Sequence, residues 1–217
     1  MHNTSMINKN KIILTDCDGV CLDWEYGFHT WMETHGHKLV NKDLYSVAKQ
    51  YDMEQPAAKR QVEIFNSSAS MGFLPPLRDA QYYIKLLAEK LGYRFVAVTS
   101  LSNDESAQKL RTCNLKKLFG EDTFVEYHYL GCGADKDEIL IQLGHKYEGS
   151  IWVEDKYINA EVGADAGFDS LLMEHGHNLN YDADDRVKVV RNWEEIYHYV
   201  ERKETERDLE RRTRKFN

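Results

Sequence analysis

Long apolar runs and targeting signals are absent from this sequence of 217 residues. No apolar stretch approaches the roughly 18 residues that a membrane span requires. The N-terminal segment MHNTSMINKNK is polar, without the apolar stretch of a secretory signal or the arginine-rich pattern of a transit peptide. The sequence therefore predicts a cytoplasmic protein that has no membrane partner.

Cysteines at metal-ligand spacing are also absent. The cysteines form no CxxC pair and no Cys/His ligand pattern, which excludes a zinc finger and a disulfide framework. Two HGH triplets, at 35–37 and 175–177, lack cysteine or carboxylate partners at ligand spacing, so we expect no metal site there. We expect reduced, mostly buried thiols at Cys17, Cys21, Cys113 and Cys132.

Positive charge is scarce in the chain. The sequence has 28 lysines and arginines against 36 aspartates and glutamates, a net charge of −8. This balance argues against a protein that binds long nucleic acid, and against a phosphatase of DNA or RNA ends. A small anionic substrate remains compatible, because a metal ion and a few local donors can reverse the field inside a pocket. The oligomeric state is left open, with a homodimer as one option.

Short apolar runs alternate with helical patterns along most of the chain. The runs are too short for helices and are followed by polar turns, as in buried parallel strands. This alternation predicts an α/β fold with a Rossmann-like, doubly wound parallel sheet. The predicted strands are KIILT (11–15), RFVAVT (94–99), 124–130, IWV (151–153), SLLM (170–173) and a last strand at 187–190.

The segment 24–73 has a different pattern. Aromatic residues first recur at helical spacing, and the sequence then becomes polar and weakly periodic. We assign this segment to a small helical cap inserted after the first strand, so that the core comprises 1–23 and 74–200. Residues 201–217 are nearly all charged and predict an exposed helical extension or a frayed tail.

Two carboxylates follow the first predicted strand, in Asp16-Cys17-Asp18-Gly19. Active sites in sheets of this kind lie outside the carboxyl ends of the strands. One acid there can stay ionised and attack phosphorus, while the other protonates the leaving oxygen and later takes a proton from water. By itself the motif also fits an Asx-rich turn. We predict Asp16 as the nucleophile and Asp18 as the general acid and base.

Three later strands end in groups that suit the same chemistry. Thr99 and Ser100 offer hydroxyls to phosphate oxygens, although such residues often cap helices. Lys136 can neutralise the transferred phosphoryl group, although a lone lysine is usually solvated. The second acid of Glu154-Asp155 can complete a Mg²⁺ site with the nucleophile. Their order at successive strand ends predicts one active site.

This ordered set resembles the haloacid dehalogenase (HAD) superfamily of phosphohydrolases, over roughly residues 11–200. Asp16 and Asp18 stand in its first motif, Thr99 in its second, Lys136 in its third and Asp155 in its fourth. Within the superfamily, the stretches DGVCLDWEYGF, GFLPPLRDA, VTSLS and MEHGHN are similar to the 5'(3')-deoxyribonucleotidase group.

The resemblance implies a set of ligands and substrate contacts. Mg²⁺ would be held by the side chains of Asp16 and Asp155 and by the backbone carbonyl of Asp18. Phosphate would lie against Thr99, Ser100 and Lys136.

The resemblance also implies that Trp24 faces a nucleotide base, although an aromatic residue at a helix start fits a core position equally well. Two positions depart from the family pattern. Asn159 stands where many members carry another acid, and Ala134 stands where nucleotidases often carry a basic residue. The second departure weakens the assignment to nucleotides.

We therefore expect a magnesium-dependent phosphomonoester hydrolase that acts through an aspartyl-phosphate on (deoxy)nucleoside monophosphates. A phosphatase of sugar or other small-metabolite phosphates is the alternative within enzymes, because the superfamily core leaves the choice of leaving group to the cap. A non-catalytic module that binds phosphate or assembles through its charged C-terminal segment is the alternative outside them.

Overall fold

The computed structural model describes residues 8–42, 44, 46–180 and 184–215. Within them, six parallel strands form one sheet in the order β3-β2-β1-β4-β5-β6. Its direction of winding reverses between β1 and β4, which is where ligands bind in doubly wound sheets. The strands are β1 Ile12–Thr15, β2 Arg94–Ser100, β3 Phe124–Leu130, β4 Ile151–Glu154, β5 Asp169–Met173 and β6 Val187–Val190.

Helices connect the strands and cover both faces of the sheet. Four of them, α1 to α4, lie between β1 and β2, and the first three fall within 24–73, where the sequence predicts the helical insertion. The helices are α1 Trp24–Thr34, α2 Val47–Gln50, α3 Gln55–Asn66, α4 Ala80–Lys90, α5 Glu105–Phe119, α6 Asp137–Lys146, α7 Tyr157–Asp165 and α8 Trp193–Lys215. The predicted α/β fold with a doubly wound parallel sheet and a helical insertion is confirmed.

Side chains of the strands alternate between two apolar layers. Ile13, Ala97 and Val153 pack in the larger layer, while Leu14 and Trp152 pack in the layer on the other face. Because both faces are covered there, the central strands β1 and β4 are fully buried and begin with continuous apolar runs, whereas the edge strands β3 and β6 are partly exposed and carry polar residues. The burial of both layers fixes the sheet from which the site projects.

The helical insertion contributes to the larger layer. Phe28 of α1 and Phe65 of α3 are fully buried there, with their ring centroids 5.3 Å apart. Met71, in a short 3-10 turn at Ala69–Gly72, belongs to the same layer. The insertion and the sheet thus share one apolar core, and the division at 24–73 stays a prediction.

Polar side chains fix the starts of two helices. The spacing of Asn192 and Glu195 predicts a helix start, and Asn192 caps α8, its Oδ1 accepting from the N–H of Glu195 at 3.0 Å. The capping-box spacing of Ser102 and Glu105 predicts Ser102 as the cap of α5, and this prediction is wrong. The Asp104 carboxylate accepts the first free N–H groups of that helix, and the Ser102 hydroxyl accepts the N–H of Asp104. A carboxylate at a helix N-terminus also benefits from the helix dipole.

The charged C-terminal segment continues α8 as far as Lys215. Its first part is packed against the core, because Lys203 pairs with Asp169 and Glu204 accepts a hydrogen bond of 2.9 Å from the Tyr93 hydroxyl. Within the described ranges, none of the helices is both long and apolar enough to cross a membrane.

Candidate active site

The turn after β1 starts the site. The N–H of Asp16 donates to the carbonyl of Val153 on β4, at 2.9 Å, so the predicted nucleophile lies where the two central strands meet. Gly19 closes the turn at a φ of +74°, which favours glycine. A Cβ atom on Gly19 would lie 2.4 Å from Oδ2 of Asp155, so the glycine also leaves room for the acid of β4.

Lys136 lies between two carboxylates at the start of α6. Its Nζ is 2.7 Å from Oδ2 of Asp16 and 2.7 Å from Oε2 of Glu154, and its side chain is only 2 % exposed. Burial alone would lower the pKa of Lys136, but the two carboxylates raise it above the usual range. The lysine is therefore a fixed cation beside Asp16, and its part in catalysis stays a prediction.

Glu154 has a role that the sequence interpretation missed. The fully buried Glu154 carboxylate orients Lys136, and burial raises its pKa well above the usual range although Lys136 opposes the shift. The signal in the sequence was the pair of acids after β4, of which only Asp155 was assigned a function. The two acids make different contacts, since Glu154 holds Lys136 and Asp155 lies near Asp16.

Three carboxylates converge at the ends of β1 and β4. Oxygens of Asp16, Glu154 and Asp155 lie within 4.8 Å of one another. Burial, with the charge of Asp16, raises the pKa of Asp155 to about 7. Hard oxygen donors at this spacing fit Mg²⁺, which takes one or two carboxylates and keeps several waters. Asp16 and Asp155 would hold the ion, since Glu154 is bound to Lys136.

The segment MEHGHN supports the two loops that carry these acids. The Nδ2 of Asn178 donates to the carbonyls of Asp155 and Met173, at 2.7 and 2.8 Å. The Nε2 of His175 is 2.6 Å from the carbonyl oxygen of Gly19, and burial lowers the pKa of this imidazole. The segment that contains the second HGH triplet thus stabilises the site loops through contacts with backbone carbonyls, a role that the sequence did not predict.

The two hydroxyls after β2 differ in their contacts. Thr99 is fully buried, and its Oγ1 has no hydrogen-bond partner among the residues that the structure describes. A buried hydroxyl without a partner is costly, so it fits a group that a bound phosphate oxygen would satisfy. The Ser100 hydroxyl instead donates to the carbonyl of Ala134, at 2.9 Å, and so fixes the loop before Lys136.

Asp18 is paired with a buried arginine. The guanidinium NH1 of Arg111, on α5, is 2.7 Å from Oδ1 of Asp18. Burial raises the pKa of Asp18, and Arg111 acts against that shift. The sequence interpretation missed Arg111. Its signal was a charge on the buried stripe of a helix, one turn from Ala107 and one turn from Leu115.

Trp24 lies in the aromatic cluster of the insertion. Its ring stacks on Phe28 at 4.7 Å between centroids, and its Nε1 donates to Oδ1 of Asn66, at 2.8 Å. The Phe65 ring lies nearly perpendicular to this ring, with the two centroids 5.6 Å apart. One face of the indole and its N–H are therefore used within the protein, as a core aromatic would be.

Millimolar Mg²⁺ is expected to raise the midpoint of thermal unfolding by about 5 °C, because it binds only the folded carboxylate cluster. In EDTA, the wild type should be less stable at about pH 8 than at about pH 6. The raised pKa of Asp155 contributes stability at low pH that is lost as the pH rises through about 7. Calorimetry would measure both effects.

Asp155→Asn should abolish the rise with Mg²⁺ and reduce the loss between the two pH values, because it removes one charge from the cluster. Asp135→Asn is the matched control, since Asp135 is exposed in the loop beside Lys136. An equal rise with Mg²⁺ in Asp155→Asn and in the wild type would contradict the assignment of Asp155 as a ligand.

Comparison with known proteins gives one curated relative and many solved structures. No protein-family model matches the sequence. An uncharacterized 32.4 kDa protein of Enterobacteria phage T4 is 30% identical over 150 residues, which are 66% of this chain and 53% of that protein. The chain thus spans about half the length of the curated relative that it matches.

The solved structures share the fold at low sequence identity. A haloacid dehalogenase-like hydrolase of Streptococcus pneumoniae is 16% identical, with a TM-score of 0.61 over 88% of this chain and 99% of that one. A HAD-hydrolase of Bacillus subtilis, bound to magnesium, is 14% identical, with a TM-score of 0.58 over 89% and 100%. A D,D-heptose 1,7-bisphosphate phosphatase of B. bronchiseptica, complexed with magnesium and phosphate, is 12% identical, with a TM-score of 0.57 over 89% and 99%. The sheet order and these likenesses show that the chain has the fold of the haloacid dehalogenase-like hydrolases.

Proposed function

We propose that the protein is a magnesium-dependent phosphomonoester hydrolase that acts through an aspartyl-phosphate. The observation that carries the proposal is the environment of Asp16, whose carboxylate contacts Lys136 at 2.7 Å and lies within 4.8 Å of the acids of β4. A carboxylate in this position is close to both a cation and a candidate metal site. Both would stabilise the negative charge that develops on a phosphoryl group during its transfer to Asp16.

In the first step, a carboxylate oxygen of Asp16 bonds to phosphorus and the bond from phosphorus to the leaving oxygen breaks. Asp18, in its protonated form, gives its proton to that oxygen. The Lys136 ammonium and the Thr99 hydroxyl interact with the non-bridging phosphoryl oxygens. Magnesium, when bound by Asp16 and Asp155, supplies further positive charge against these oxygens.

In the second step, a water oxygen bonds to phosphorus and the bond to Asp16 breaks, which releases inorganic phosphate. Asp18, now a carboxylate, takes the proton of that water. The two acids therefore have different duties. Asp16 attacks as a carboxylate, with the Lys136 ammonium 2.7 Å from its Oδ2.

For the substrate we propose (deoxy)nucleoside monophosphates. Support comes from the four stretches that resemble the 5'(3')-deoxyribonucleotidase group and from Trp24, whose ring lies at the junction of insertion and core. A base would have to stack on the ring face that Phe28 leaves open. A sugar phosphatase is the second candidate for two reasons. Ala134 stands where nucleotidases often carry a basic residue, and one protein of similar structure is a phosphatase of a sugar bisphosphate.

Phosphate release from a panel of compounds tests the proposal. The panel holds nucleoside monophosphates, sugar phosphates and nitrophenyl phosphate, each with Mg²⁺ and with EDTA. Release that requires Mg²⁺ and is fastest from nucleotides is the expected result. Faster release from sugar phosphates would favour a sugar phosphatase over a nucleotidase. No release from any compound would contradict an enzyme and favour a phosphate-binding module.

A further inference from the structure

Arg111 is a buried cation with one acidic partner. Its side chain is 0% exposed, and NH1 forms the ion pair with Asp18. A second nitrogen, NH2, lies 3.0 Å from the sulfur of Met71. The Nε of this side chain has no partner in the described part of the chain. The guanidinium is thus held by one carboxylate and by a weak acceptor from the insertion.

Stability alone does not explain this arginine. A buried ion pair gains little over apolar residues of the same volume, because both charges lose their hydration. The surroundings would suit an apolar side chain, since Ala107 and Leu115 flank Arg111 on α5 and are fully buried. A charge retained at this position calls for a role at its partner, and the partner is the general acid and base of the proposed reaction.

The pair constrains the direction of the Asp18 side chain. Arg111 binds Oδ1, and no described hydrogen bond reaches Oδ2. The Asp18 side chain is 20% exposed although its partner is wholly buried, so part of the carboxylate remains accessible while Arg111 binds it. One oxygen is anchored in the protein and the other remains for proton transfer.

We propose that Arg111 is a positioning residue that holds Asp18 in the geometry for protonating the leaving oxygen. This inference rests on the proposed function. Arg111 does not touch the phosphoryl group in this role, and the proton moves only between Asp18 and the leaving oxygen. Loss of the guanidinium lets the carboxylate rotate, which costs most where the leaving group most needs a proton.

The leaving group gives a readout that a purely structural role would not change. An alkyl oxygen is a poor leaving group and requires protonation, whereas nitrophenolate leaves without it. The value of kcat/KM reports the steps up to cleavage of the ester bond, so the shared hydrolysis of the aspartyl-phosphate does not affect it. The ratio of kcat/KM for an alkyl phosphate to that for nitrophenyl phosphate therefore measures acid catalysis.

Arg111→Met is expected to lower this ratio by about 100-fold, within the range that general acid catalysis contributes. Arg111→Lys keeps the charge without the planar fork and should lower it by about tenfold. The lysine variant carries the test if the methionine variant does not fold. Asn114→Ala is the matched control, because Asn114 is buried one turn further along α5 and donates to the Leu74 carbonyl at 2.9 Å.

The control should change both substrates equally and leave the ratio within about twofold of the wild type. An unchanged ratio in a folded Arg111 variant would overturn the inference, with wild-type release still intact. Failure of the wild type to release phosphate from either compound would instead overturn the proposed function, and this inference with it.

Discussion

Asp16→Asn is expected to lower kcat for phosphate release by at least about 10⁴-fold, because an amide cannot form the aspartyl-phosphate. The variant keeps the size of the side chain and the backbone contact with Val153, so the sheet should be retained. Phosphate release under saturating substrate and Mg²⁺ measures the loss. Circular dichroism of the same samples checks the fold.

Acid-stable labelling gives a second measurement of the same step. Wild-type protein quenched in acid during turnover should carry one phosphoryl group, and Asp16→Asn should carry none. Asp135→Asn is the matched control, because Asp135 is exposed in the loop beside Lys136 and its substitution should leave activity unchanged. Normal turnover by Asp16→Asn would rule out Asp16 as the nucleophile.

Lys136→Met is expected to have the largest effect on stability. It leaves two buried carboxylates without their cation, and breaking such a pair costs about 3 kcal/mol or more. Activity should also fall, by roughly 100-fold, because one positive group beside the phosphoryl oxygens is lost. Denaturant unfolding at about pH 8 measures the free energy of unfolding, and phosphate release measures the activity.

A compensating change separates the two effects of this substitution. Adding Glu154→Gln to Lys136→Met removes the deepest unpaired charge, so the double variant should regain part of the lost stability without regaining activity. Lys146→Met is the matched control, because Lys146 lies on the same helix in an exposed pair with Glu126 and should cost less than about 1 kcal/mol. Equal costs for Lys136→Met and Lys146→Met would contradict the buried ion pairs.

The sheet could be predicted well because its central strands are buried on both faces. Each apolar run ends at a polar turn, and all six strands lie where the sequence placed them. The insertion was harder to resolve, since α2 and α3 carry short, mixed patterns with weak periodicity. The cap of α5 was predicted wrongly because two nearby side chains could accept from the first N–H groups of the helix. The Asp104 carboxylate accepts them, and Ser102 does not.

Some residues of the site could also be predicted from the sequence, and others could not. Asp16, Lys136 and Asp155 follow strand or loop ends, and the topology rule for parallel sheets is enough to bring such residues together. Arg111 could not be found by that rule. It reaches Asp18 from a helix face, across 93 residues of sequence, and only the packing of α5 against the turn after β1 creates the contact.

The pairing of β1 with β4 also limits which insertions and deletions the fold can tolerate. Thr15 lies opposite Val153, so the residues that follow, Asp16 and Glu154, are held beside each other by the hydrogen-bond ladder. Deleting one residue within β4 would shift Asp155 to the position of Glu154, which contacts Lys136. The same deletion would place Lys156 at the position of Asp155, where the proposed metal ligand lies. Substitutions on the outer helices leave this alignment untouched, so we expect inherited length changes to be confined to the loops and the insertion.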